Sequence, residues 1–386
     1  MADASPAQRV EITAKSASEQ ADDQPLQLSR GKRLLFILII FLIIFGVPEI
    51  ATRILAPEYV NLRFGQHITA GHPIGLRGGD LHSDLVTAPK APGEIRLAML
   101  GDSVTWGYGL PAEDTVAEQT KRKLQAARPD ITWQIVNMGR MGSTPKMRRE
   151  LLLDKIETWP TDGIIFQFHL NDVAWTDREM EEIGPSLKPG FRGLFTNKCR
   201  RLRVEYMRYS AFYAYMEELT KQIYFRIRGP SDPERDEMAA CCDSPAIRQR
   251  WDEQFQAIAD FKAACDRKDI GFRVYMYPQS EHLSDEPRDN LKNVDRSKFT
   301  VNPYDRFMEY LAKYNLTGRH LFDVLKAQRD AMLAGKIPYD RLFFVLDTNH
   351  PNKRGAELFA QALAEDILAG KFCPIPPPSH QPDKAP

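Results

Sequence analysis

The chain has 386 residues, 43% of them apolar, enough for one large folded domain or two smaller ones with a substantial core. Its 52 lysines and arginines balance 52 aspartates and glutamates, so the charge lacks the basic footprint of a nucleic-acid binder, and no nucleic-acid partner is expected. The five cysteines, Cys199, Cys241, Cys242, Cys265 and Cys373, form no Cys-x-x-Cys pair and no Cys/His spacing of the zinc type, so no metal is expected. In an oxidising compartment a disulfide such as Cys242 with Cys265 is conceivable, with an odd thiol left over.

Residues 1–33 are polar, rich in Ala, Ser, Gln and Asp, and read as a disordered tail on the cytoplasmic side. Residues 34–55 read as a transmembrane helix: about 22 residues span roughly 33 Å, enough for a hydrocarbon core of about 30 Å. Arg30, Lys32 and Arg33 crowd the near end and predict a single-pass topology with everything after Leu55 periplasmic or extracellular. Glu49 and Arg53, one helical turn apart, mark the exit. The long polar stretch ahead of the run, with no Ala-x-Ala site behind it, favours an uncleaved anchor over a signal peptide.

After a linker over 56–93, a domain is expected over 94–370. Strand-like runs at Ile95–Leu100, Trp133–Asn137, Gly163–Phe168, Phe272–Tyr277 and, more weakly, Leu321–Leu325 alternate with helical patterns at Asp114–Ala127, Ile247–Arg267 and Asn352–Leu368. This alternation predicts an α/β fold, a three-layer α/β/α sandwich around a mostly parallel five-stranded sheet. A helical insertion is expected over about 175–245; within it Arg200–Arg228 reads as an amphipathic helix, whose tyrosines at near-helical spacing are taken as a packing seam. The Pro-rich segment 371–386 reads as a disordered tail.

An open parallel sheet gathers its chemistry at the carboxyl ends of its strands. The first strand runs into Gly101-Asp102-Ser103-Val104-Thr105-Trp106-Gly107, which presents a hydroxyl at that edge. The second ends in Asn137-Met138-Gly139-Arg140-Met141-Gly142, whose glycines let a backbone N–H approach a reacting oxygen. The third ends in His169-Leu170-Asn171-Asp172, offering a side-chain amide as a neutral donor to an oxyanion. Asp347-Thr348-Asn349-His350, just before the last helix, lets a carboxylate hold one imidazole nitrogen while the other faces Ser103. Each segment alone reads equally well as a turn or a helix cap; their conjunction at one sheet edge does not.

Together these segments, in this order from Ile95 to Leu368, resemble the SGNH, or GDSL-type, hydrolase superfamily. Upstream, the Glu-x-x-x-Arg exit and Gly75-Leu76-Arg77 are similar to its bacterial membrane-anchored members. The resemblance implies a flavodoxin-like fold and an ester hydrolase with Ser103 as nucleophile, His350 as base and Asp347 as its orienter. It implies an oxyanion hole from the Ser103 and Gly142 amides and the Asn171 side chain; Gly142, five residues after Asn137, fits the motif better than Gly139. His169 departs from it, standing where the family usually has glycine. His169 and Gln279, the latter just after the fourth strand, are candidate substrate contacts.

These residues predict cleavage of acyl esters through an acyl-enzyme, with no cofactor. The expected partners are an ester-bearing small molecule, glycan or lipid of the cell envelope, and the membrane through residues 34–55. The same residues would serve an O-acyltransferase acting on polysaccharide, and the fold alone would serve a non-catalytic glycan-binding scaffold.

Overall fold

The computed structural model describes residues 29–55, 89–174 apart from 109 and 141, 210–228, 239–279, 296–337, 342–343, 349–371, 373 and 375–377. Gly75-Leu76-Arg77, Cys199, the amphipathic pattern before residue 210, and Asp347 therefore lie outside the described residues. The chain divides into two units, Met1–Leu55 and Ala56–Pro386.

In the first unit α1 (Arg30–Phe41) passes through one π-helical turn (Leu42–Gly46) into α2 (Val47–Leu55). Pro48 has no N–H to give the Ile44 carbonyl and its ring crowds that turn, which accounts for the wider winding just before it. The 26 residues Arg30–Leu55 form one helix long and apolar enough to cross a membrane. Arg53 and Glu49 are paired at 2.7 Å across one turn of α2.

In the second unit the order is β1 (Glu94–Gly101), α3 (Ser103–Trp106), α4 (Val116–Ala127), β2 (Thr132–Gly139), α5 (Pro145–Ile156), β3 (Gly163–His169), α6 (Ala211–Arg228), α7 (Pro245–Asp266), β4 (Gly271–Tyr277), α8 (Pro303–Lys313), β5 (Gly318–His320), α9 (Phe322–Leu333) and α10 (Lys353–Leu368). All strand pairs are parallel and the spatial order is β2-β1-β3-β4-β5. That is the doubly wound, flavodoxin-like order, in which the chain reverses direction across the sheet between β1 and β3.

Because strand side chains alternate between faces, the apolar runs divide into two cores. Leu100, Phe166, Phe168 and Met276 pack on one face against Trp251, Phe255 and Phe261 of α7 and Phe307 of α8. Leu97, Met99, Ile165 and Tyr277 pack on the other against Leu124 of α4 and Phe359 and Leu363 of α10. Residues buried on both faces are what a covered parallel sheet requires, and they explain why β1 and β3 read as near-continuous apolar runs, interrupted by Arg96 and Gln167.

Two expectations are corrected. The fifth strand is Gly318–His320, and Leu321–Leu325 instead caps and opens α9, with Leu321 and Leu325 both in the core. A five-residue apolar run satisfies strand and helix templates alike, whereas a three-residue edge strand needs little beyond its main-chain bonds to β4. Cys242 and Cys265 are buried free thiols rather than a disulfide, as are Cys241 and Cys373. Burial pushes the Cys265 thiol up to about 12, so it stays protonated and inert near neutral pH.

Candidate active site

β1 delivers Ser103 through a turn with little room in it. A Cβ on Gly101 would stand 2.0 Å from the Thr105 hydroxyl and 2.2 Å from the Gln167 side-chain oxygen. Only glycine lets the chain pass there. Asp102 caps α3, one carboxylate oxygen accepting the Val104 N–H at 2.8 Å. The Gln167 oxygen from β3 accepts both the Asp102 N–H at 2.8 Å and the Thr105 hydroxyl at 2.9 Å. Gly107, left-handed at φ +88°, then ends the single helical turn. Asp102 Oδ1 and Gln167 Oε1 thus take up donors that would otherwise be buried without partners at the Ser103 turn.

The end of β2 locks on the same turn. The Asn137 amide donates to the Thr105 carbonyl at 2.7 Å and its oxygen accepts the Gly139 N–H at 2.9 Å. Gly139 lies beneath the backbone of α3, where a Cβ would come 2.2 Å from the Trp106 nitrogen. Gly142 adopts φ +67°, a conformation that suits glycine. The two glycines therefore have different duties: Gly139 permits close packing, and Gly142 turns the loop.

Arg148 of α5, fully buried, joins that loop to the end of β3. Its guanidinium donates to the Ser143 hydroxyl and carbonyl at 3.1 and 2.7 Å, to the Gln167 carbonyl at 2.8 Å and to Asp172 at 3.2 Å. Asp172 in turn accepts the His169 N–H at 2.9 Å, while His169 Nδ1 accepts the Asn171 N–H at 3.4 Å. Asn171 thus stands in a capped 3-10 turn, Leu170–Val173, half-buried at the sheet's edge. Burial pushes the Asp172 carboxyl up to about 7, outweighing the opposing pull of Arg148, with Asp102 adding to the rise.

The last segment closes the site. An isolated antiparallel bridge from Phe343 to Pro351 and a 3.0 Å bond from Asn352 N–H to the Leu342 carbonyl tie the residues just ahead of α10 to Leu342 and Phe343. The Asn352 side chain caps that helix by accepting from Arg354 and Gly355 at 2.9 and 3.0 Å. His350, two residues earlier, places Nε2 2.7 Å from Ser103 Oγ across 247 positions of sequence. This is within reach for proton transfer from hydroxyl to imidazole. The Tyr108 ring lies against the imidazole, centroids 4.5 Å apart and planes inclined by 40°.

Among the sequence candidates, Ser103 and His350 are brought into direct contact, and Asn171 and Gly142 stand at the ends of β3 and β2 on the same edge. Asp347 lies outside the described residues. His169 and Gln279 are both fully buried; His169 faces Asp102 Oδ2 at 4.0 Å. The Gln279 amide has no hydrogen-bond partner among the described residues, nor has the Tyr277 hydroxyl two residues earlier. Tyr108, Gln167 and Arg148 were not identified from sequence. Tyr108 directly follows Gly107, which is a weak clue, and nothing in sequence spacing distinguishes Gln167 or Arg148 from ordinary core-edge residues. Among the described residues no three His, Cys, Asp or Glu side chains cluster as metal ligands.

No family model and no curated protein matches the sequence. The fold is similar to solved structures of esterases. A two-domain esterase active on acetylated mannans has 14% identity and TM-score 0.38, over 78% of this chain and 57% of that one. An acetylxylan esterase from Geobacillus stearothermophilus has 13% identity and TM-score 0.37, over 71% of this chain and 94% of that one. A psychrotrophic esterase from Pseudoalteromonas sp. has 12% identity and TM-score 0.35, over 72% and 98%. The chain thus spans a little over half the length of the mannan-active enzyme.

Proposed function

We propose that the chain is a serine ester hydrolase. The observation that carries this reading is the 2.7 Å contact between His350 Nε2 and Ser103 Oγ at the carboxyl edge of a parallel sheet. As the Ser103 oxygen bonds to the ester carbonyl carbon, its proton passes to His350; the carbonyl π pair moves onto oxygen. The Ser103 and Gly142 amides and the Asn171 side chain hold that oxyanion, each such donor typically contributing about 2.7–4 kcal/mol of barrier lowering. Collapse expels the alcohol, which takes the proton from His350 and leaves acyl-Ser103. Water, deprotonated by the same imidazole, then releases the acid and restores the serine. Asp347 orients His350 and stabilises the imidazolium.

The substrate class in this reading is an acyl ester on an envelope glycan or lipid, reached by a periplasmic or extracellular domain anchored through residues 34–55. The test is hydrolysis of p-nitrophenyl acetate by the full chain in detergent, beside Ser103→Ala. Turnover that disappears in Ser103→Ala supports the proposal; equal rates in both proteins, or none in either, overturn it.

A further inference from the structure

The ester chemistry gives no part to His169, although its imidazole stands at the end of β3 two residues before Asn171. The backbone there is extended, at φ −128° and ψ 151°, so it admits any residue. The ring is fully buried. Burying an imidazole costs free energy unless its nitrogens are hydrogen-bonded, so an apolar side chain would fill the same space at less cost.

One ring atom faces two turns. His169 Nδ1 accepts the Asn171 N–H at 3.4 Å, capping the turn Leu170–Val173, and lies 4.0 Å from Asp102 Oδ2. The other oxygen of Asp102 caps α3, the short helix that begins at Ser103. On the backbone side Asp172 accepts the His169 N–H at 2.9 Å, so the strand end and the turn after it are gripped reciprocally. An imidazole that accepts at Nδ1 carries its hydrogen on Nε2 and is neutral. We propose that His169 is a positioning residue: its Nδ1 holds the Asn171 turn beside the Ser103 turn, so that the Asn171 side-chain amide meets the oxyanion. This rests on the ester-hydrolase reading, in which the oxyanion exists only once Ser103 has attacked. Holding its donor in place stabilises the transition state and not the bound substrate, so loss of the hold lowers kcat and leaves KM nearly unchanged.

The variants His169→Asn and His169→Leu in the full chain separate the acceptor from the bulk of the ring. Asn Oδ1 is as many bonds from the backbone as His Nδ1 and is a good helix-start acceptor, whereas Leu fills a similar space and accepts nothing. Both are read by kinetics on p-nitrophenyl acetate and by hydrogen–deuterium exchange of the Asn171 amide. His169→Leu should lose about tenfold in kcat at near-parental KM, less than the roughly hundredfold or more typical of deleting an oxyanion donor. Its Asn171 amide should exchange about tenfold faster, with β3 amides unchanged to show that the fold is intact. His169→Asn should stay within about threefold of the parent in both measurements. A Leu variant equal to the parent, or an Asn variant as impaired as Leu, overturns the proposal and leaves the ester reading standing. A parent that does not hydrolyse the ester overturns that reading and the proposal with it.

Discussion

The hydroxyl of Ser103 lies 2.7 Å from Nε2 of His350, 247 positions later, and the neighbours of that pair decide how well the contact is held. Tyr108 lies against one face of His350, a ring contact worth about 0.5–1.5 kcal/mol. Tyr108→Ala should therefore lower kcat/KM on p-nitrophenyl acetate by roughly two- to tenfold, while Tyr108→Phe, which keeps the ring, stays near the parent; steady-state kinetics on both decides it. Beneath the Ser103 turn, Gly139→Ala forces a Cβ to 2.2 Å from the Trp106 nitrogen. Displacing α3 should destabilise the protein by about 1–3 kcal/mol in a denaturant titration and reduce turnover as well. Such close approaches are invisible in sequence: motif spacing separated Gly142 from Gly139, but the packing duty of Gly139 showed only in its surroundings.

The elements that bear Gly142 and Asn171 are joined by one buried ion pair. Arg148 of α5 holds Ser143, the end of β3 and Asp172 together, so Arg148→Met removes the counter-charge of a fully buried carboxylate. With that carboxyl free to take up a proton, the expected cost is that of the buried acceptors left without a donor, about 1–3 kcal/mol, read by chemical denaturation near neutral pH. Asp172 also makes stability depend on pH. Its carboxyl rises from an ordinary value of 3.8 to about 7 on folding, so the folded state binds the extra proton between those limits. Stability from this group is then highest below about pH 4 and falls as pH rises towards about 7. Asp172→Asn should remove that downward slope, and equal slopes in the two proteins would contradict the assignment. At this scale the sequence was informative where apolar periodicity was long, as in β1, β3, α7 and α10. It misled at Leu321–Leu325, because the core contacts of a short run do not reveal which backbone bonds it makes. Arg148 escaped notice because a buried arginine is recognisable only from the carboxylate and carbonyls around it.

Across the whole molecule, β2-β1-β3-β4-β5 order explains why motifs scattered from Gly101 to His350 meet at one rim. Parallel strands all end on the same side, so residues just past their carboxyl ends converge whatever their distance in sequence. The serine, the glycine loop, the asparagine turn and the histidine were legible for that reason. Tyr108 was not, since its contact depends on where a neighbouring ring lies. Because an imidazolium has no lone pair to accept the Ser103 proton, ester hydrolysis should decline on the acid side of neutrality; a rate flat between about pH 5 and 8 would contradict His350 as base.

The most direct measurement is the site of covalent capture by a fluorophosphonate, located by mass spectrometry of the full chain after proteolysis. The reaction demands an activated hydroxyl and nothing of the unknown substrate. One phosphonyl group on Ser103, with labelling strongly slowed in His350→Ala, is the predicted result. An unlabelled Ser103, or labelling that proceeds equally without the imidazole, would contradict the pairing of these two residues.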